Sequence, residues 1–200
     1  MQSYDMRTLF SVLILVSAAG TCFGQANQTC IHTGLVTPVF NFSVDSFLGT
    51  WYPYKLYTGL PADAKPLLYR CFEANFSRSD SSFLQIREDE RYIMFPNGTD
   101  IPSESVDYIH VTEKNPAIWN MVGVVDGEIA EADSVIVQID YSNWFIQFGC
   151  LVRDNYRYET MHIWTRTRTP DPEVMALLEI LVNNYGFPPA NGRLMEHTNC

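Results

Sequence analysis

The chain has 200 residues, a formal net charge of −10 and 46% hydrophobic residues, with only 18% charged. Acidity of this size disfavours nucleic acid and anionic membrane as partners, and the length suits one domain. No repeat or low-complexity tract divides it, and past the N-terminus no stretch approaches the ~20 apolar residues of a transmembrane helix, so membrane insertion is not expected.

Residues 1–24 contain a basic residue (Arg7), an apolar stretch at 9–16 and small residues from Ser17 onward, the pattern of a secretory signal peptide. Cleavage after Gly24 is preferred to Gly20, which would retain Cys22 and leave an odd cysteine count. The expected product is a secreted single domain, 25–200, with Cys30, Cys71, Cys150 and Cys200. An even number of cysteines in an exported chain argues for two bridges, with three connectivities open, and the lack of a C-x-x-C pair removes the usual zinc and thioredoxin readings. Sequons at Asn27, Asn41, Asn75 and Asn97 point to surface glycosylation.

Short β-branched and aromatic runs, separated by Gly, Pro, Asn, Asp and Ser, predict strands at 48–57, 67–78, 82–95, 104–114, 117–126, 133–141, 143–152 and 157–166. The connection 58–66 is long and contains Pro61 and Pro66, whereas Asp126-Gly127 and Ser142-Asn143 suit tight hairpin turns. Such a meander can close on itself and remove its edges. One helix follows: Asp171 is its N-cap, Pro172 its first residue, and Glu173 complements the dipole. Val174, Leu177, Leu178 and Leu181 form its apolar stripe, and Gly186 ends it.

Catalytic signatures are missing: there is no G-x-S-x-G, H-E-x-x-H or P-loop, so an enzyme is not expected, nor a metal. The carboxylates Glu88, Asp89 and Glu90, and Glu128 with Glu131 and Asp133, are expected in solvated turns.

Gly49 and Trp51 within Phe47-Leu48-Gly49-Thr50-Trp51-Tyr52-Pro53-Tyr54, Asp140-Tyr141 ahead of Cys150, and Arg166 ahead of the helix resemble the three signature blocks of a lipocalin. The two-bridge framework and Asp140-Tyr141-Ser142-Asn143-Trp144 are most similar to the apolipoprotein D, bilin-binding (insecticyanin) and crustacyanin-like branch. The resemblance implies an all-β fold: an eight-stranded antiparallel up-and-down barrel, or calyx, with one C-terminal helix packed outside. It also implies a lid-like loop at 58–66 and the pairings Cys30 with Cys150 and Cys71 with Cys200. At the closed end it implies that Arg166 packs over Trp51; Arg168, of the same parity, competes for that role. The prostaglandin isomerase type of lipocalin uses a free cysteine, and here all four are expected in bridges.

Side chains alternate across a strand, so these roles set the facing of their neighbours. Tyr158, Thr160, His162 and Trp164 then point into the cup. If Cys150 leaves the wall outward, Phe145, Gln147, Gly149 and Leu151 line the cavity, and Trp144, Ile146 and Phe148 form the bed of the helix. Tyr108 and His110 share one face of strand 104–114 and are counted with the lining; His110 is also a conceivable haem ligand. His162 is either a polar anchor for the ligand or a histidine satisfied by a neighbouring Tyr or Thr, and His32 and His197 are expected in solvent.

The lining drawn this way is aromatic and sparsely polar. It suits a secreted carrier of a small hydrophobic ligand, foremost a bound chromophore such as biliverdin or a carotenoid, with no cofactor required. A colourless transporter of fatty acid or retinoid, and a filled barrel that binds a receptor, a second subunit or its own copy as a homo-oligomer, are the alternatives. Bilin propionates would need cations, and Lys55, Lys65 and Lys114 are few; Arg70, Arg87, Arg91 or Arg157 could substitute at the mouth.

Overall fold

The computed structural model describes residues 36–58, 69–80, 82–95, 98–125, 128–153 and 156–200, with side chains for all of these except 83, 121–125, 128–131, 151–153 and 156–158. The leader 1–24, Asn27, Cys30, His32, the loop from 59, Asn97 and the Asp126-Gly127 turn lie outside the described residues.

Eight consecutive antiparallel strands form the domain: β1 (Gly49–Thr58), β2 (Tyr69–Ser79), β3 (Ser82–Met94), β4 (Ile101–Val111), β5 (Ile118–Val125), β6 (Glu128–Asp140), β7 (Trp144–Arg153) and β8 (Tyr156–Thr165). Each pairs with the next, β8 returns to β1, and β1 closes the ring on β2 through Gly49↔Phe76 and Trp51↔Ala74. The expected barrel is thus present, and closure leaves its two wall faces distinct, one inside and one outside. Boundaries differ most at β6, which starts five residues earlier than expected because it pairs with β5 back to Val125↔Glu128, and β4 starts three residues early because its ladder with β3 runs from Ile101↔Met94 to Gln85↔His110. Pro102 is tolerated because β4 meets β5 only over Ile109–Val111.

A short ninth strand, β9 (Gly192–Leu194), has no sequence signature. Above Trp51, β1 diverges from β2, and β9 enters the gap, pairing Lys55↔Leu194 and Tyr57↔Gly192. Met195 N donates to Tyr54 O (2.9 Å) and Cys71 N to Glu196 O (2.8 Å), so the C-terminal segment joins both strands. The Cys71–Cys200 disulfide fastens it there. Cys150 is also disulfide-bonded. Asn41 and Asn75 are both exposed.

Helix α1 (Val44–Phe47) precedes β1, and α2 (Pro172–Asn184) packs on the outer wall. Asp171 caps α2 by accepting from Glu173 N at 2.8 Å, and Gly186 follows its end at φ +90°. Its buried face is Met175, Leu178 and Val182, against Val135, Val137, Ile146, Phe148, Met161 and Ile163. The expected stripe is therefore corrected: Leu177 is 63% exposed, and Val174 and Leu181 are only partly covered. Apolar residues surround most of this helix, so periodicity does not select one stripe. The ion pair of Lys55 Nζ with Glu179 Oε1 (2.8 Å) helps set the rotation.

Candidate ligand-binding site

The lower end of the barrel is sealed. Ser43 caps α1, which delivers Phe47, fully buried, beneath Trp51, also fully buried. Trp51 Nε1 donates to Phe47 O at 2.8 Å. Arg166 lies over the indole, its guanidinium carbon 3.6 Å from the ring centroid. The same group donates to the carbonyls of Thr50 (3.0 Å), Phe47 (3.0 Å), Leu48 (3.1 Å) and Tyr141 (3.1 Å). One cation thus ties α1, β1 and the β6–β7 turn together, with a cation–π contact worth about 2 kcal/mol when desolvated. Gly49 is required in this clasp: its φ is +103°, and a Cβ there would stand 3.2 Å from Arg166 Nη1. Arg168 instead lies over Tyr52 at 4.8 Å and pairs with Glu73 at 2.7 Å.

Above the floor, β6, β7 and β8 supply a flat neutral wall. Phe145 and Trp164 stack at 5.5 Å with planes 6° apart, and His162 continues the stack at 6.3 Å from Trp164. Trp164 Nε1 donates to Gln147 Oε1 (2.8 Å), whose amide donates to Ser134 Oγ (2.6 Å). His162 Nε2 meets Thr160 Oγ1 at 3.2 Å, its single hydrogen bond among the described residues, and burial pulls its pKa down to about 4. The imidazole is therefore neutral at physiological pH, with one ring nitrogen left over. Phe145, Gln147, Thr160, His162 and Trp164 are thus gathered on one interior surface. Leu151 and Tyr158 are register partners farther up, with side chains outside the described set.

The facing wall overturns two expectations. Tyr108 and His110 turn outward: Tyr108 is 47% exposed, and His110 is exposed beside Gln85 Nε2 at 3.4 Å. Their removal from the lining follows from the β3–β4 register, which places Ser105, Asp107 and Ile109 inside. Glu88 and Glu90, expected in solvated turns, are only 5% and 3% exposed. They share parity with Ile86 and Tyr92, both buried in the barrel core, so all four face inward. Asp89, between them, faces outward and pairs with Arg87 at 2.6 Å. Glu88 lies opposite Asp107, and Glu90 opposite Ser105, whose hydroxyl donates to it. Burial, and then the neighbouring carboxylates, raise Glu90 to about 8 and Glu88 well above the usual carboxylate range. The interior is thus distinctly polar on one side.

Several of the cations weighed for the mouth are engaged in ion pairs. Arg70 pairs with Asp100 (2.6 Å) and Arg91 with Glu73 (3.5 Å), Lys114 is exposed, and the side chains of Lys65 and Arg157 are outside the described set. Among the described residues Arg193 is a buried cation, 6% exposed, on β9 opposite Leu56, which in turn pairs with His162. It lies near Tyr69, as does Glu90. The Tyr69 hydroxyl is buried and has no hydrogen-bond partner among the described residues. His197 is not free in solvent: its Nε2 lies 2.9 Å from Pro53 O.

No family model matches this chain, and no curated protein matches it. Among the described residues no group of three or more His, Cys, Asp or Glu side chains is placed to hold a metal ion, and no helix is long and apolar enough to cross a membrane.

Proposed function

We propose that this protein is a secreted, non-enzymatic member of the lipocalin family that carries a small, mostly apolar molecule inside its barrel. The observation that supports this reading is the closed barrel with its floor clasped by Arg166 over Trp51 and the stacked Phe145–Trp164–His162 surface on its inner face. Flat aromatic walls interrupted by a few hydrogen-bonding groups are the usual lining of small-molecule sites. Among pigments, a neutral carotenoid suits this interior better than biliverdin, whose two propionates would face Glu88, Glu90 and Asp107. Purification of the secreted protein from its native source, with a visible spectrum and mass spectrometry of the organic extract, tests the proposal. A coloured band supports the pigment form, and a colourless extract containing one lipid supports the transporter form. A protein that yields no small molecule and binds no apolar fluorescent probe is not a carrier.

A second reading has one observation in its favour. Leu177 and Ile180 are 63% and 59% exposed on the outer side of α2, where a receptor, a subunit or a second copy of the chain could sit. A stable oligomer by sedimentation, lost on Leu177→Glu, would support it.

A further inference from the structure

We propose that the Cys71–Cys200 disulfide is a thiol-exchangeable latch, opened by a dithiol, that holds the C-terminal strap of residues 192–200 in a gap of the barrel wall between β1 and β2.

The gap has a local cause. Continued from Trp51↔Ala74, the register of β1 and β2 would set Tyr54 opposite Cys71. Cys71 has a φ of +57°, in the left-handed region, and the β2–β3 register shifts between Arg70 and Glu73, so β2 bends away there. The strap occupies the space. Met195 N donates to Tyr54 O and Cys71 N to Glu196 O, so it spans the two residues that continued pairing would have joined. Its apolar hold is slight: within the strap only Arg193 and Met195 are buried, and the first is a cation whose desolvation opposes docking. Farther along, Arg70 Nη1 donates to the carbonyls of Thr198 (2.8 Å) and Asn199 (3.3 Å), and the disulfide closes the segment.

The two sulfurs are differently placed for exchange. Cys200 is exposed, whereas Cys71 is 6% exposed and its Sγ lies 3.8 Å from Arg70 Nη1. Attack goes to the accessible sulfur, and a thiolate beside a guanidinium is the better leaving group. One thiolate of the dithiol therefore bonds to Cys200 Sγ, and the electron pair of the S–S bond passes to Cys71 Sγ, which leaves as a thiolate beside Arg70. The second thiol of the reductant loses its proton, attacks its own sulfur in the mixed disulfide and expels the Cys200 thiolate. The dithiol ends as its internal disulfide, and the protein takes up two electrons and two protons as a pair of thiols. With the bond gone the strap separates, uncovering Tyr54 O and the Cys71 amide and withdrawing Arg193 from its place near Tyr69. A barrel sealed below by Trp51 and Arg166 then opens at its side.

The oxidised full chain is incubated with reduced glutathione in native buffer, quenched with N-ethylmaleimide and mapped by mass spectrometry. At short times glutathione is expected on Cys200 and maleimide on Cys71, at least about tenfold over the reverse labelling. Equal or reversed labelling overturns the direction of attack. A rate that climbs with urea in step with global unfolding overturns the latch, which should open in the folded barrel. The chain is then reduced with dithiothreitol and amide exchange is followed. Met195 and Cys71 should exchange at least about tenfold faster than in the oxidised chain, and ahead of Ile136, whose amide donates to Ala117 O. Unchanged exchange at Met195 and Cys71, or exchange in step with Ile136, overturns release of the strap.

Discussion

Replacing Glu90 with Gln in the ligand-free protein separates a buried acid from a solvated one. Glu90 is 3% exposed, and its pKa is raised from 4.5 to about 8, first by burial and then by Asp107, with Ser105 opposing. Between those two values the folded state holds a proton that the unfolded chain releases, so stability falls as pH rises through this window and is constant on either side. At about 1.4 kcal/mol per pH unit, the contribution of Glu90 to stability falls by on the order of 3 kcal/mol between pH 4 and pH 7 and by nearly 5 kcal/mol above pH 8. Glutamine fits the same space, still accepts from Ser105 and does not titrate. Urea unfolding at pH 4, 7 and 8.5 should therefore show the variant equal to the parent at pH 4 and increasingly more stable at the higher values. With a urea slope of ~2 kcal/mol per molar, the midpoint gap at pH 7 is about 1.5 M. A gap independent of pH, or a variant less stable at pH 8.5, would refute the inward placement of Glu90.

Trp51→Ala should cost about 3 to 5 kcal/mol in chemical denaturation, because the fully buried indole supports both Phe47 and the Arg166 clasp, and near-parent stability would remove its role as the floor. On α2, Leu178→Ala should cost ~2 to 4 kcal/mol and Leu177→Ala under about 0.5 kcal/mol; equal costs would contradict the observed helix rotation. Cys71→Ser with Cys200→Ser opens a loop with a sequence separation of 129 and should lower stability by about 5 kcal/mol in the chain-entropy picture. In that variant, amide exchange should accelerate first at β9 and at Lys55 and Tyr57, its partners on β1; uniform acceleration would show that the bridge acts on the whole barrel.

The parts of the fold legible in the amino-acid order are those with a local physical cause. Eight strands follow from short β-branched and aromatic runs between turn formers, and α2 from its Asp171 cap and Pro172. The period of two carries Trp164 inward together with Thr160 and His162, and Phe145 with Gln147, once one residue on each strand is oriented. On β4 both faces mix apolar and polar residues, so alternation in that strand has no preferred side. Pairing of Glu88 with Asp107 decides it, turning Tyr108 and His110 out. Ile86, Glu88, Glu90 and Tyr92 do share parity in the sequence, and that pattern could have placed the two acids inside. It was outweighed by the general tendency of carboxylates to seek water. Nor does β9 have a local signal: three residues containing a glycine form a strand only because β1 and β2 diverge and leave their hydrogen-bonding groups open.

Strand and helix identity, the cap, and the alternation within each strand are therefore determined by neighbours along the chain. Which face becomes the interior, that Glu88 and Glu90 are buried on it, and that Arg193 of the C-terminal segment is buried as well were decided only when the ring closed. Closure assigns inside and outside through contacts between residues far apart in sequence, and no local period contains that choice.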